Sequence, residues 1–435
     1  MSARPTNPAT ADEQASLASD TLRVAFVGEV DHGKSTLLGR LLYDTGAITP
    51  DRLVTPVEDG GLAFLLDGLT EERQDLFTLD TAQAVLQTER RRYVLIDVPG
   101  HAELLKNMVT GASRADAGVI VVSCTERTSE QTRRHLCVLA LLGVTTCVCA
   151  VTKMDLAGFA EGRFHAVVNE VADVAANYGL DLSASVPVSS IVGANITGSA
   201  AAEMPWYDGA SLLDTLQELV VRRAESAPLR FAVQAVVRRT AQRRVLGRVE
   251  SGSVRPGQPL VDGSGTLTCT VRRIERFGER PLEVARVADS VGLLINGREP
   301  PPGALLAPPT EPLAWGQHWH TRVLNTGNVS FGAGDECSLR HCSAVLTGRI
   351  ANVGRRWSSA SRETVGTAGS SDPCGDAGRV RFSEIASVHI RLDAPAGADD
   401  VRTCAPLGRF MLCDVAGEAL GLGIIDRVEH CRSGG

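Results

Sequence analysis

The stretch that most constrains this chain is Val24-Ala25-Phe26-Val27-Gly28-Glu29-Val30-Asp31-His32-Gly33-Lys34-Ser35-Thr36. An apolar β-type run leads into Gly-x4-Gly-Lys-Ser, and a helix-type run from Leu37 to Leu42 leads out. This is the context a phosphate-cradling P-loop requires, with a strand before it and a helix after it. Gly28 and Gly33 permit a tight loop whose backbone N–H groups turn inward toward phosphate oxygens. The helix N-terminus behind the loop adds partial positive charge. Lys34 has the reach for β- and γ-phosphates, and the Ser35 hydroxyl can ligate Mg²⁺. A ligand-free Gly-rich turn is the alternative, and the Lys-Ser pair at the required offset argues against it.

From Leu22 to about Arg223 strand-like and helix-like segments alternate. Expected strands are Leu22–Gly28, Thr78–Gln87, Tyr93–Asp97, Gly118–Ser123, Thr145–Val151 and Ala184–Val188. Expected helices are Lys34–Tyr43, Ala102–Ser113, Ser129–Leu142, Gly162–Asn177 and Ser211–Arg223. Such alternation predicts a mainly parallel sheet with helices on both faces, and ligands bound at the carboxyl ends of its strands.

Three further motifs fall at those strand ends. Asp97-Val98-Pro99-Gly100-His101 follows the Tyr93–Ile96 run. A carboxylate there can hold Mg²⁺ through water, Gly100 can donate its N–H to a γ-phosphate, and His101 can orient an attacking water. Thr152-Lys153-Met154-Asp155 follows Thr145–Val151. Asp155 can accept from the N1–H and exocyclic amine of guanine, a donor pair adenine lacks, while the Lys153 stem lies over the ring. As a plain polar turn, the same Asp would be a helix N-cap. Ser189-Ser190-Ile191 follows the last strand, where backbone N–H groups could meet guanine O6.

These four elements in this order resemble the GTPase motif series. More closely they resemble the translation-factor superfamily, whose P-loop reads Val-Asp-x-Gly-Lys-Ser/Thr and whose third motif reads Asp-x-Pro-Gly-His. The resemblance implies GTP and Mg²⁺ as ligands. It implies nucleotide contacts from Gly28, Glu29, Val30, Asp31, His32, Gly33, Lys34, Ser35, Thr36, Asp97, Gly100, Thr152, Lys153, Asp155, Ser189 and Ser190. It implies Mg²⁺ held by Ser35, Thr78 and Asp97, and hydrolysis carried by His101, Lys34 and Thr78. In that superfamily the P-loop valine, here Val30, and a switch-I isoleucine flank the catalytic histidine as an apolar gate.

Other stretches narrow the resemblance: Leu41-Leu42-Tyr43-Asp44-Thr45, Leu66-Asp67-Gly68-Leu69, Asn107-Met108-Val109-Thr110-Gly111-Ala112-Ser113, Gln131-Thr132-Arg133-Arg134-His135 and Met204-Pro205-Trp206-Tyr207-Asp208-Gly209. The set is similar to the GTPase (large) subunit of bacterial sulfate adenylyltransferase. In that family a separate small subunit, of the ATP-pyrophosphatase fold, makes adenosine 5′-phosphosulfate and pyrophosphate from ATP and sulfate. GTP hydrolysis is coupled to that uphill reaction. The resemblance therefore implies such a small subunit as partner, and puts the adenylylation residues on it.

The chain departs from that family at several positions. The family P-loop usually reads Asp-Asp-Gly-Lys, and here His32 follows Asp31. Switch I reads Arg73-Gln74-Asp75-Leu76-Phe77-Thr78-Leu79-Asp80, which keeps Thr78 but replaces the family's Gly and Ile with Leu76 and Phe77. Leu76 cannot easily adopt φ > 0. Ala102 stands after His101 where Glu is usual, and Thr152 opens the base motif in place of Asn. GTP binding should survive these changes, with slow intrinsic hydrolysis.

From about Pro228 the texture changes to short β-type runs separated by Gly and Pro turns. Phe231–Val237, Arg244–Glu250, Thr266–Ile274 and Ser290–Leu294 suggest one antiparallel barrel. After a linker at Ala307–Pro312, Thr321–Leu324, Cys342–Ile350, Ala386–Leu392, Gly408–Asp414 and Ala419–Ile425 suggest a second, with Ser358–Asp376 a flexible loop. The expected organisation is a disordered tail over 1–21, an α/β P-loop GTPase domain over 22–226, and two antiparallel β-barrels over 227–311 and 312–435. That is also the elongation-factor-like architecture. Arg238, Arg239, Arg243, Arg244 and Arg248 near one hairpin read either as a basic partner site or as a solvated barrel edge. His318, His320, Cys337, His341 and Cys342 match no zinc spacing.

Bulk composition bounds the rest. A net charge of −7 gives no drive toward nucleic acid or anionic membrane, and no apolar run approaches a membrane span. The 11 cysteines are scattered without a Cys-x2-Cys pair, which suits reduced thiols in the cytoplasm. Two rival functions stand beside the sulfate reading. One is a translation-elongation GTPase binding aminoacyl-tRNA. The other is a divergent paralogue keeping GTP as a regulatory or structural ligand in a specialised sulfur pathway.

Overall fold

The computed structural model describes residues 21–48, 82–98, 115–220, 227–239, 242–266, 268–276, 280–359, 361, 364–366 and 378–429. The chain separates into two compact units, one reaching to Val221 and the other built almost wholly from Arg222 onward.

The first unit is a six-stranded sheet in the order β2-β3-β1-β4-β5-β6. The strands are β1 Thr21–Gly28, β2 Ala82–Gln87, β3 Arg92–Asp97, β4 Ala117–Ser123, β5 Thr146–Thr152 and β6 Asp181–Pro187. All neighbours pair in parallel except β2, which runs antiparallel to β3. Every residue of β4 is buried, as expected for a parallel strand covered on both faces. The helices are α1 Lys34–Asp44, α2 Glu130–Leu141, α3 Glu161–Tyr178 and α4 Leu212–Glu218. In α1, Leu37, Leu38, Leu41 and Leu42 fall at helical spacing and are all buried against the sheet core. The last helix is shorter than Ser211–Arg223. Its N-cap is Ser211, which accepts from Asp214 N–H, and Leu219 leaves the helix in an extended conformation. The expected helix Ala102–Ser113 lies outside the described residues.

The strand order reverses at β1, which lies between β3 and β4. Such a switch point opens a crevice at the strand carboxyl ends. The P-loop leaves β1 there.

The second unit contains two closed antiparallel sheets. In the first, the strands run in the order Pro259–Val261, Thr268–Glu275, Ser290–Gly297, Gln242–Ser251, Arg230–Arg239, Leu305–Leu306. A bridge between Val261 and Ala307 joins its two ends. The second sheet closes where strand Glu336–His341 pairs with both Ala344–Ser358 and Arg409–Cys413. Closure removes unpaired edges. Phe231, Val245, Leu260 and Leu293 fill one interior; Trp319, Ile350, Ile390 and Phe410 fill the other.

Three expectations for this half change. The Cys342–Ile350 strand begins inside a turn: Cys342 has φ 50° and joins Glu336–His341 to Ala344–Ser358. Within the Ser/Gly-rich stretch, Thr364–Gly366 pairs as a short strand with Arg356 and Trp357. Ala307, the first residue of the expected linker, is buried and bonded to Val261.

At the basic hairpin, Arg238 and Arg244 are each paired with a carboxylate. Arg238 lies 2.6 Å from Glu299, and Arg244 lies 2.8 Å from Glu275. His318 and His320 share one face of strand Ala314–Asn325, while His341 is buried on Trp319 and Cys337 sits in the core. His389 on the adjacent strand joins the outer pair, stacking on His320 at 4.7 Å and lying 3.0 Å from His318. Among the described residues all cysteines are free, and no helix is long and apolar enough to cross a membrane.

Candidate functional site

The P-loop conformation follows from its sequence. Gly28 lies so close to β4 that a Cβ there would sit 2.5 Å from Val121 O, so no larger residue fits. Gly33, at φ 81°, occupies the left-handed region at the helix N-cap. No side chain caps α1, and its first loop-to-helix bond is Leu37 N–H to Gly33 O at 2.8 Å. The N–H groups of the first turn are thus left for an anion. Asp31 also has a positive φ of 65°, and Val30 is about half exposed.

Lys34, Ser35 and Asp97 converge across the switch point. Lys34 Nζ lies 2.9 Å from Asp97 Oδ1, and Ser35 Oγ donates to Asp97 Oδ2 at 3.0 Å. Asp97 Oδ1 is buried and, apart from that ion pair, accepts no directed hydrogen bond. A hydroxyl and a carboxylate make an all-oxygen donor set, so these residues fit Mg²⁺, a hard cation that prefers oxygen. Gly100, His101 and Thr78, with Leu76 and Phe77, lie outside the described residues.

The base motif follows β5. Lys153, at φ 59°, turns the chain into a short 3-10 helix over Met154–Ala157. Asp155 Oδ1 accepts from Ser189 Oγ at 2.6 Å, and the carboxylate keeps lone pairs on both oxygens for a ligand. Ser189 N–H is bonded to Ala194 O, so the backbone donors open to a purine oxygen begin after Ser189.

Four residues, Thr152, Arg40, Asp44 and Trp206, hold these parts together, and the last three have no role in the motif reading. Thr152, which replaces the expected Asn, is buried and donates its hydroxyl to His32 O at 2.6 Å. It pins the P-loop to the base motif. Arg40 donates to Ser190 O and Ile191 O at 3.1 and 2.9 Å, and Asp44 fixes it at 2.8 Å. The Arg40/Asp44 spacing of i, i+4 on a helix was the signal available in the sequence. Trp206 donates Nε1–H to Phe159 O at 2.8 Å and packs on Phe164 at 5.5 Å, so the Met-Pro-Trp-Tyr block is a brace on α3.

His135, in α2, is wholly buried. Burial, then the nearby Lys34 charge, lowers its pKa to about 3. The unfolded chain binds a proton there below about pH 6.5 that the folded chain refuses. Stability is therefore intact above that pH and falls as pH drops from about 6.5 toward 3, by up to ~1.4 kcal/mol per pH unit. Urea unfolding between pH 7 and 4 checks this: His135→Leu should flatten the slope in that window. An unchanged slope would contradict the assignment.

The family described as "Elongation factor Tu GTP binding domain" matches residues 19–226. Elongation factor 1-alpha of Methanothermobacter thermautotrophicus is 36% identical over 280 residues, 63% of this chain and 67% of that protein. The chain belongs to the translation-factor GTPase superfamily. Sulfate adenylyltransferase subunit 1 of Agrobacterium fabrum is 38% identical over 296 residues, 65% of this chain and 60% of that protein. The bifunctional enzyme CysN/CysC of Xylella fastidiosa is 32% identical over 427 residues, covering 95% of this chain and 66% of that protein. The match to the sulfate adenylyltransferase subunit thus spans about 60% of that protein's length. The fold of this superfamily member is elongation-factor-like, an α/β GTPase sheet followed by closed antiparallel barrels.

Proposed function

We propose that this chain is the GTP-binding and GTP-hydrolysing subunit of a sulfate adenylyltransferase. In this reading it couples GTP hydrolysis to formation of adenosine 5′-phosphosulfate from ATP and sulfate by a partner subunit of the ATP-pyrophosphatase fold. The supporting observation is the match to sulfate adenylyltransferase subunit 1, at 38% identity over 65% of this chain. The proposed domains are residues 22–226 for GTP and the modules 227–311 and 312–435 for coupling. Buried free thiols suit a reducing cytoplasm.

The chain's residues divide the work. The P-loop amides and the α1 N-terminus bind phosphate oxygens, and Lys34 exchanges the Asp97 carboxylate for the β- and γ-phosphates. Ser35 and Thr78, with Asp97 behind them, would hold Mg²⁺, which neutralises charge on the β- and γ-oxygens. Asp155, held by Ser189, selects guanine. His101 orients the attacking water, with Val30 and Phe77 as its apolar gate.

The test measures sulfate-dependent pyrophosphate release from ATP, using the chain co-purified with its cellular partner, with and without GTP. Release stimulated by GTP and lost in His101→Ala is the expected result. No adenylylation in either condition, with guanine nucleotide still bound, would sink the sulfate assignment. In the same preparation, Leu76→Gly/Phe77→Ile should speed GTP hydrolysis, and an unchanged rate would refute the gate.

A further inference from the structure

His32 is fully buried beside the phosphate loop, with one ring nitrogen on each side of a chemical contrast. Nδ1 lies 3.3 Å from Val121 O. A carbonyl only accepts, so Nδ1 carries the hydrogen. Nε2 faces two carboxylates, Glu126 Oε2 at 3.2 Å and Glu29 Oε2 at 3.6 Å. Ionised carboxylates also only accept, so either a proton or a metal cation must stand between Nε2 and these oxygens. Among the described residues neither carboxylate is paired with a lysine or arginine, and Glu29 Oε2 is buried without a hydrogen bond.

We propose that Glu29, His32 and Glu126 form a binding site for a divalent cation of the Zn²⁺ class, separate from the nucleotide's Mg²⁺. The three donor atoms lie within 4.8 Å of one another. Tetrahedral Zn²⁺ with bonds of about 2.0–2.1 Å has ligand–ligand edges of about 3.3–3.4 Å, and the two observed histidine–carboxylate edges, 3.2 and 3.6 Å, bracket that value. A ligating histidine commonly donates its other N–H to a backbone carbonyl, as Nδ1 does to Val121. Imidazole with two carboxylates suits Zn²⁺ rather than Mg²⁺, which prefers oxygen alone. Two negative charges and one neutral ring balance a divalent ion. Glu126 is half exposed and gives the ion its entry, and Arg163 steadies the Glu126 backbone by donating to its carbonyl at 3.0 Å. The ion would clamp the Glu29–His32 half of the P-loop to the loop after β4.

The test uses the full chain stripped of transition metals and saturated with Mg²⁺ and GDP, so that the nucleotide's own cation site is filled. Titration with Co²⁺, read by its visible absorption, should show one bound equivalent that Zn²⁺ displaces. Glu126→Gln should weaken that binding more than tenfold and leave GDP affinity unchanged, while Glu126→His should retain it. Absence of Co²⁺ binding, or equal binding by Glu126→Gln, would overturn the site. So would ¹⁵N spectra in saturating Zn²⁺ showing both His32 nitrogens protonated, because a proton would then supply the charge.

Discussion

Asp155→Asn should lower GTP affinity by about two to four orders of magnitude and open the site to xanthosine triphosphate. An ionised carboxylate accepts from both the N1–H and the exocyclic amine of guanine. Each charge-assisted bond is worth about 1.5–3 kcal/mol, so losing the match costs about 3–6 kcal/mol. The amide keeps one acceptor and gains one donor, which pairs with the N1–H and C2 carbonyl of xanthine. In the proposed reading the carboxylate is positioned for this work before nucleotide arrives. Ser189 Oγ holds one oxygen at 2.6 Å, and the left-handed Lys153 starts the turn that carries it. Competition binding with GTP and xanthosine triphosphate reads the exchange directly. Retained GTP affinity in the variant would remove Asp155 from base recognition.

Arg230→Met should destabilise the barrel unit by about 3–5 kcal/mol, the cost of stranding one member of a buried ion pair. Arg230 Nε lies 2.6 Å from Asp399 Oδ2, and Nη2 donates to Oδ1 at 3.2 Å. Nη1 also donates to Leu229 O and Glu311 O at 3.0 and 2.9 Å. Both side chains are more than nine-tenths buried. The pair therefore ties the strand that opens the first barrel to residues of the second. Arg230→Met leaves the buried Asp399 without its partner. Arg230→Met/Asp399→Leu removes both charges and should recover most of the loss. Urea unfolding followed by tryptophan fluorescence is suited to this, because Trp315, Trp319 and Trp357 report the barrel unit. Equal stabilities for the single variant and the parent would show that the pair contributes little.

The P-loop and the alternation that builds the first sheet were legible in the residues alone. Both are local. Gly28, Gly33 and the leucines of α1 act through their own φ, ψ or helical spacing, so a contiguous stretch contains the whole cause. Runs of β-type residues broken by Gly and Pro turns likewise indicated two barrels, because strand period and turn chemistry are short-range. Tertiary structure decided the rest. Parallel crossovers bring Thr152 to His32, 120 positions away, and Glu126 to the same histidine across 94 positions, and neither pairing has a local signature. The Ser189 hydroxyl on Asp155 depends on β5 and β6 lying side by side. Barrel closure at Val261 and Ala307, and the grouping of His318, His320 and His389, depend on strand register. A one-residue slip reverses which face a side chain takes. Periodicity reports that a strand has a buried face, but only the paired strands decide what stands opposite it.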